Sequence, residues 1–391
     1  MKTHSKFANL AILAVMVSLV LGFDAPAMAE SDAVRAIYLS AATMPTSIAG
    51  VNTYPEPPKG FNPLTASDVE LASYGFPQRP DRQAEPDHYA MWERAMLAAK
   101  IHWNGKLRPA PTNGHVMEPI GAASSLPAQQ QATQPPVATQ GHNDNAAGVI
   151  LNNNAKKWGG TSFADMWSVI SVPVVETAFA AGCSDGWYYS QSLVGFDPIL
   201  FYNAANGHPL YYPGEFAGVS ENIYCPTGFT SYDAVIGWGG FGTFVFSLNP
   251  GDVFYTEVHA FGGCSNGSAW VEDLTTLAYN SYTIPNPCGV LQTGRYANWV
   301  VTRPLVGDGI DGESPLANTI SISFDGAQVN NVNGKPFYPG SQATTTSVLT
   351  MYDDTNSQAI ELVNQGATGF QGLHSLFFQT TGCAYAGGCT P

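Results

Sequence analysis

From about residue 146 onward, short segments of alternating polar and apolar residues follow one another without any useful stretch of helical period. The runs Thr243–Leu248 and Val253–His259 are two of them, separated by the turn sequence Asn249–Asp252. In that turn, proline fixes φ and glycine reaches conformations that other residues avoid. Many short strands joined by such turns predict an all-β fold made of two antiparallel sheets packed as a sandwich. Three further alternating runs belong to this pattern: Tyr296–Val301, Thr319–Phe324 and Thr346–Met351.

Charged residues are scarce, at 12% of the chain, compared with about 25% in an average globular protein. The formal net charge at pH 7 is -15. An acidic chain is repelled by phosphate backbones and by anionic lipid, so we expect neither nucleic acid nor membrane as a partner. We expect a monomer.

The first 29 residues have the organisation of a secretory signal peptide. Lys2 and Lys6 precede the apolar run Phe7–Leu21, and Ala27 and Ala29 supply the small residues of a cleavage site. The alternative is a transmembrane anchor, but the run is shorter than the ~20 residues that span a bilayer. We therefore predict cleavage after Ala29 and a secreted or periplasmic protein.

The mature chain divides into three regions by composition. Residues 30–118 carry much of the charge, and Trp92, Met96, Ala99 and Trp103 recur there at the spacing of one helix face. This region is either a small helical domain or a propeptide that folds or masks the downstream domain. Residues 119–145 are rich in Gln, Pro and Ala and predict an extended linker. Residues 146–391 form the predicted sandwich.

Six cysteines come after the signal peptide, an even number that predicts disulfides in an exported protein. Pairing of nearest neighbours is the simplest of the 15 possible arrangements. Zinc is the competing explanation, but neither the cysteines nor the histidines show ligand spacing, so we expect no metal and no cofactor. The three expected pairs are Cys183 with Cys225, Cys264 with Cys288, and Cys383 with Cys389.

Seven short motifs carry a resemblance to a known family. In chain order they are Trp158–Gly160, Ile170–Val175, Ser192–Asp197, Thr230–Ala234, Pro250–Asp252, Gly267–Thr276 and Ala297–Val301. Together they resemble the glutamic peptidases, or eqolisins. This resemblance implies a lectin-like sandwich of two curved sheets, with a cleft on a concave face and a propeptide before it.

The resemblance also implies where the catalytic residues would stand. Eqolisins hydrolyse peptides with one Glu, which acts as general base and then general acid, and one Gln, which helps to stabilise the oxyanion. Here Asn298 stands at the Glu position and Phe216 at the Gln position. An amide cannot accept a proton at any useful pH, so the family mechanism lacks its base.

Three functions remain open at this point. The first is an inactive sandwich that binds a peptide or glycan in its cleft. The second is a hydrolase with displaced groups: a one-residue bulge could bring Glu215 opposite Asn298, and Asp197 is another nearby carboxylate. The third is a sandwich of unrelated use, such as an adhesin, a coat component or a non-peptidase hydrolase.

Aromatic side chains are the candidate binding residues, because rings at a groove stack on sugars or receive apolar side chains. A second stripe, Tyr255, Glu257 and His259, alternates along one strand and is expected to be the polar outward face of that strand rather than a site. If the resemblance holds, five aromatic residues lie at the cleft: Trp187, Tyr212, Phe216, Tyr232 and Trp299.

Overall fold

The chain folds as an all-β protein, and its described residues include three helices between residues 27 and 98. The computed structural model describes residues 27–110, 142–143, 145–153, 162–175, 186–197, 199–202, 209–224, 227–238, 241–261, 266–285, 294–304, 316–319, 321–340, 345–352 and 358–380. The predicted all-β class with two antiparallel sheets is confirmed within these ranges.

The helices and strands are numbered along the chain. The helices are α1 (Ala27–Ser40), α2 (Asp68–Ser73) and α3 (Pro86–Ala98), and a 3-10 turn covers Phe370–Gly372. The strands before residue 200 are β1 (Met44–Pro45), β2 (Asn52–Thr53), β3 (Ile101–His102), β4 (Arg108–Pro109), β5 (His142–Asn143), β6 (Ala146–Asn152), β7 (Phe163–Ser171), β8 (Trp187–Phe196) and β9 (Ile199–Tyr202). The remaining strands are β10 (Pro209–Tyr212), β11 (Glu215–Tyr224), β12 (Phe229–Trp238), β13 (Phe241–Leu248), β14 (Val253–His259), β15 (Gly267–Asp273), β16 (Ala278–Ile284), β17 (Tyr296–Thr302), β18 (Ser321–Asn331), β19 (Pro336–Phe337), β20 (Thr345–Tyr352), β21 (Gln358–Thr368) and β22 (His374–Thr380).

Two sheets form the sandwich. The first sheet has the strand order β4-β13-β12-β11-β8-β17-β6-β20. The second has the order β20-β21-β22-β18-β7-β14-β15-β16-β2-β1. Strand β20 pairs with β6 through its first half and with β21 through its second, so it joins the two sheets at one edge.

Alternation along the strands sorts side chains between the inter-sheet core and the opposite face. On β17, Ala297, Trp299 and Val301 belong to the core between the sheets. Val300 belongs to a separate cluster on the other face of the first sheet, and Asn298 shares its parity. Because successive side chains of a strand point to opposite faces, this parity assigns a face to every residue discussed below.

The N-terminal region, residues 27–110, is built into the sandwich. Its strand β2 pairs with β16, β3 runs parallel to β16, and β4 pairs with β13. Helix α2 begins with a capping box between Ser67 and Glu70, which satisfies the free N–H groups of its first turn. Helix α3 begins with proline at its first position and packs its apolar side on the outer face of the second sheet.

The helix predicted around Trp92 is present as α3, but it ends before the last residues of the predicted helical face. Trp92 and Met96 are buried on α3 as expected, but the helix ends at Ala98, and Ala99 is only its cap. Trp103 lies beyond β3 and packs on Phe246 of the first sheet, with 6.0 Å between ring centroids. The prediction of one helical face through Trp103 was therefore wrong, because pairing of β3 with β16 ends the helical path.

Several sequence predictions lie outside the described residues. These are the signal sequence up to residue 26, most of the linker, and all six cysteines, so cleavage and disulfide pairing stay predictions. Among the described helices, none has the length and apolar character needed to cross a membrane.

Candidate functional site

The two positions that the resemblance assigns to catalysis lie in one row across three neighbouring strands. Phe216 of β11 is directly opposite Gly195 of β8, and Gly195 is directly opposite Asn298 of β17. Directly paired residues share a face, so all three lie on the outer face of the first sheet. The structure therefore brings Phe216 and Asn298 together on either side of a glycine.

Gly195 allows the chain to pass closely over the middle of this row. A Cβ on Gly195 would stand 2.2 Å from the carbonyl oxygen of Glu215 and 2.8 Å from Cβ of Pro213. Both contacts are far shorter than van der Waals separation. The segment that enters β11 therefore needs glycine at position 195, a requirement of packing rather than of chemistry.

Asn298 is paired with a tyrosine that the sequence analysis did not select. The hydroxyl of Tyr211 donates to Oδ1 of Asn298, and both side chains are buried. The hairpin of β9 and β10 brings Tyr211 to this place, and Asn145 holds its backbone at both N–H and C=O, at 2.7 and 2.9 Å. Burial, together with the charge of Asp197, raises the pKa of Tyr211 well above its usual value. The pair is therefore neutral throughout the working range of a peptidase.

Apolar side chains surround the row formed by Phe216, Gly195 and Asn298. Phe216 is fully buried and belongs to one cluster with Leu193, Val235 and Val300. These residues occupy the outer face of the first sheet around Asn298. Asn298 itself is fully buried.

Glu215 lies on the opposite face of β11 from Phe216. The pairing of β11 with β12 is continuous from Glu215 to Tyr224, so the one-residue bulge that would bring Glu215 beside Asn298 does not occur. Its carboxylate crosses to the second sheet, where Oε2 lies 2.1 Å from the point at which Gly267 would carry a Cβ. The hypothesis that Glu215 exchanges roles with Asn298 is wrong for this reason.

Asp197 has a structural arrangement rather than a catalytic one. Its carboxylate accepts backbone hydrogen bonds from Gly294, Arg295 and Tyr296, at 2.7, 2.9 and 3.0 Å. Asp197 itself has a φ of 37°, an uncommon value for a residue other than glycine. Three donors on one carboxylate fix the start of β17, so Asp197 positions Asn298 along that strand.

Three of the five candidate binding rings lie inside the sandwich. Tyr212, Tyr232 and Trp299 are buried in the core between the sheets. The Tyr212 hydroxyl donates to the carbonyl of Arg303, and the Tyr232 hydroxyl accepts from the N–H of Val175. Strand parity directs these rings inward, so the prediction that they line a cleft was wrong.

The remaining candidate, Trp187, belongs to a group of rings that reaches solvent. Trp187 is 37% exposed and Phe229 is 59% exposed. Trp187 stacks beside Tyr189 at 6.0 Å and contacts Tyr224 at 5.3 Å, while Phe229 stands perpendicular to it at 6.1 Å. We call Trp187, Tyr189, Tyr224 and Phe229 the aromatic surface. It lies on the same face of the first sheet as Asn298, toward the other end of the strands.

The stripe Tyr255, Glu257 and His259 is not a solvated outer face. All three side chains are buried beneath the N-terminal region. The expectation of an exposed polar face was wrong because helix α3 and Tyr38 cover this part of the second sheet. No group of His, Cys, Asp and Glu side chains among the described residues has the arrangement of a metal site.

Comparisons with known proteins return structures only. No protein-family model matches the chain, and no curated protein matches it. The fold is similar to that of scytalido-glutamic peptidase bound to a transition-state analogue inhibitor, at 16% identity and a TM-score of 0.44, over 61% of this chain and 98% of that one.

Two further solved structures are similar in the same way. SCP-B, an eqolisin peptidase in complex with the tripeptide Ala-Ile-His, matches at 16% identity and a TM-score of 0.42, over 61% of this chain and 98% of that one. Aspergilloglutamic peptidase from Aspergillus niger matches at 22% identity and a TM-score of 0.36, over 50% of this chain and 99% of that one. At TM-scores below 0.5, these similarities carry no argument about the activity of this chain.

Proposed function

We propose that this chain is a secreted β-sandwich protein of glutamic-peptidase type that has no peptidase activity and acts as a binding module for a peptide or glycan. The observation that carries the proposal is the pairing of Asn298 with Tyr211. A peptidase of this mechanism needs a carboxylate that alternates between base and acid at that position. A buried amide that accepts from a neutral phenol can do neither.

The surroundings of this pair support the same proposal. Phe216 stands where the resemblance places the amide that would stabilise an oxyanion, and it belongs to the same buried apolar cluster as Tyr211. The carboxylates that could substitute are engaged elsewhere: Glu215 faces the second sheet and Asp197 binds three backbone N–H groups. The displaced-carboxylate hydrolase therefore has no supporting geometry.

The aromatic surface supports a binding role. Two near-parallel rings, 20° apart, with a third ring perpendicular to one of them form a shallow apolar corner open to solvent. Such a corner fits ligands with flat apolar faces, which sugars and aromatic or proline side chains of peptides both present. Next to these rings on the same face, the partly buried Ser231 carries a hydroxyl that accepts from the buried amide of Asn222.

The absence of peptidase activity is tested by incubating the purified protein with denatured protein substrates from about pH 2 to 7. We expect no cleavage at any pH. Cleavage that disappears in Glu215→Gln, Asp197→Asn or Asn298→Ala would overturn the proposal and identify the group responsible.

The binding role is tested on peptide and glycan arrays, followed by titration calorimetry with any ligand found. We expect Trp187→Ala to weaken binding at least about fivefold, because stacking on one ring contributes about 1–3 kcal/mol. Tyr338→Ala is the matched control, since Tyr338 is also 37% exposed but lies outside the aromatic surface. Equal loss in both variants, or no ligand on either array, would contradict the proposal.

A further inference from the structure

A chain of alternating carboxylates and imidazoles joins helix α3 to the second sheet. His88 of α3 lies between Glu85, which caps the helix, and Glu257 of β14. Its Nδ1 is 3.0 Å from Oε2 of Glu85, and its Nε2 is 3.7 Å from Oε2 of Glu257. One imidazole therefore contacts a carboxylate of its own segment and a carboxylate of the sheet.

His259 continues this chain on the sheet. Its Nδ1 is 2.6 Å from Oδ1 of Asp165 on β7, and its Nε2 is 3.6 Å from Oε1 of Glu257. Glu257 thus stands between two imidazoles and uses a different oxygen toward each. The order of groups is Glu85, His88, Glu257, His259, Asp165, and we call these five residues the buried relay.

Four residues of the buried relay are buried, and Asp165 at its end is partly exposed, with 25% of its side chain accessible. The ring of Trp167 stacks on His88 at 4.5 Å, and Tyr38 of α1 stacks on His259 at 5.1 Å. Neutral groups also reach the carboxylates: Gln328 and Asn330 of β18 donate to Glu85, and Tyr255 donates to Glu257 at 2.8 Å. Burial raises the pKa of Tyr38 and of Tyr255. The charge of Asp68 adds to this effect at Tyr38, and the charge of Glu272 adds to it at Tyr255.

Protonation of the imidazoles decides the charge balance of this enclosed space. With both imidazoles charged, two cations face three carboxylates. With both neutral, the buried carboxylates of Glu85 and Glu257 lie on either side of an uncharged ring, which is costly, while Asp165 keeps some contact with water. Burial lowers the pKa of His88, but Glu257 and Glu85 outweigh it and the net pKa is raised. For His259, burial likewise lowers the pKa, but Asp165 and Glu257 outweigh it and raise the pKa.

We propose that the buried relay is a pH-sensitive latch, which holds the N-terminal region on the second sheet most firmly in mild acid and loosens as the pH rises above neutral. Within the buried relay, the ion pair of His88 with Glu257 is the one that joins the N-terminal region to the second sheet, so loss of the His88 proton weakens the contact between those parts. His259 acts on this contact through Glu257, the carboxylate that it shares with His88. The latch is independent of whether the aromatic surface binds a ligand.

The pH window follows from the direction of each shift. A raised histidine pKa contributes stability that is complete below the unfolded value near 6.5 and is lost as the pH rises through the folded value. Burial raises the pKa of Glu85, but bonds from His88, Asn330 and Gln328 outweigh it and leave the pKa lowered. The stability that Glu85 contributes is present above its unfolded pKa and is lost as the pH falls through its folded pKa. The contact between the N-terminal region and the second sheet is therefore strongest between about pH 4.5 and 6.5.

Hydrogen exchange on the full chain tests the latch. Protection of the amides of α3 is measured at pH 5.5, 7.0 and 8.5, corrected for intrinsic exchange, and divided by the protection of β6, a strand of the first sheet without a titratable side chain. We expect this ratio to fall severalfold between pH 5.5 and 8.5, because His88 loses its proton and its attraction to Glu257 over this range. A ratio that stays constant over this range overturns the proposal without any variant.

Variants assign the effect to the buried relay. In His88→Gln with His259→Gln, the ratio is expected to be independent of pH, because no imidazole remains to titrate. The control is His102→Gln, which removes a half-buried histidine of the same N-terminal region outside the relay and is expected to keep the wild-type fall. Persistence of the fall in the double variant, or its loss in the control, overturns the proposal.

Discussion

Glu221 is a buried carboxylate whose replacement has a calculable effect on stability. It lies on β11 with its side chain between the sheets, and it is fully buried. Ser192 of β8 donates to its Oε1 at 2.9 Å. Burial raises the pKa of Glu221 to about 8, and the hydrogen bond from Ser192 offsets only part of this effect. At neutral pH the folded protein therefore holds a proton that the unfolded chain releases.

The sign and size of the effect follow from this difference. The folded state binds the extra proton between the unfolded pKa, about 4.3, and the folded one, so stability is complete at low pH and falls as the pH rises. Each pH unit in this interval costs about 1.4 kcal/mol, which sums to about 4 kcal/mol at pH 7. Glu221→Gln keeps the shape and the acceptor for Ser192 but removes the titration. The variant should be about 4 kcal/mol more stable than the wild type at pH 7 and equal to it near pH 4.

Urea unfolding of both proteins at half-unit steps from pH 4 to 8 measures this difference. The two free energies of unfolding should diverge steadily above pH 4.5. Glu56→Gln is the control, because Glu56 is exposed and its replacement should leave the pH slope of the wild type unchanged. If Glu221→Gln keeps the wild-type slope, the carboxylate is not protonated in the folded state and the reasoning fails.

Two further substitutions test the packing around Asn298, each by the urea midpoint at pH 6. Gly195→Ala should destabilise the protein by about 1–3 kcal/mol, because its Cβ would overlap the carbonyl of Glu215; a change below ~0.5 kcal/mol would contradict the close approach. Tyr211→Phe should cost about 1–3 kcal/mol, because the buried Oδ1 of Asn298 loses its donor. Tyr338→Phe, on an exposed tyrosine, should cost almost nothing, and an equal loss in both tyrosine variants would refute the role given to the hydrogen bond.

Local pattern was sufficient to predict several of the strands that form the sandwich. The runs Val253–His259 and Tyr296–Val301 correspond to β14 and β17 within one residue. Side-chain alternation is a property of neighbouring residues, so it survives whatever the rest of the chain does. The helix around Trp92 was predicted for the same reason, and its end was misplaced because a partner strand decides where it stops.

Two adjacent residues on opposite faces of β11 show that local pattern does not predict which side chain reaches Asn298. Glu215 and Phe216 are neighbours in sequence, yet one faces the second sheet and the other faces Asn298. Which of the two shares a face with Asn298 depends on the register of β11 against β8 and of β8 against β17. Register is set by pairing over the whole sheet, and a shift of one residue would exchange the two side chains.

The sequence by itself determined the all-β class, the positions of the main strands and the absence of a glutamate at position 298. Tertiary structure alone decided that Tyr211 is the partner of Asn298 and that His88 meets Glu257 across nearly 170 residues of chain. The first group depends on the spacing of neighbouring residues and on residue identity. The second depends on contacts between distant segments, whose geometry exists only once both sheets and the N-terminal region have packed together.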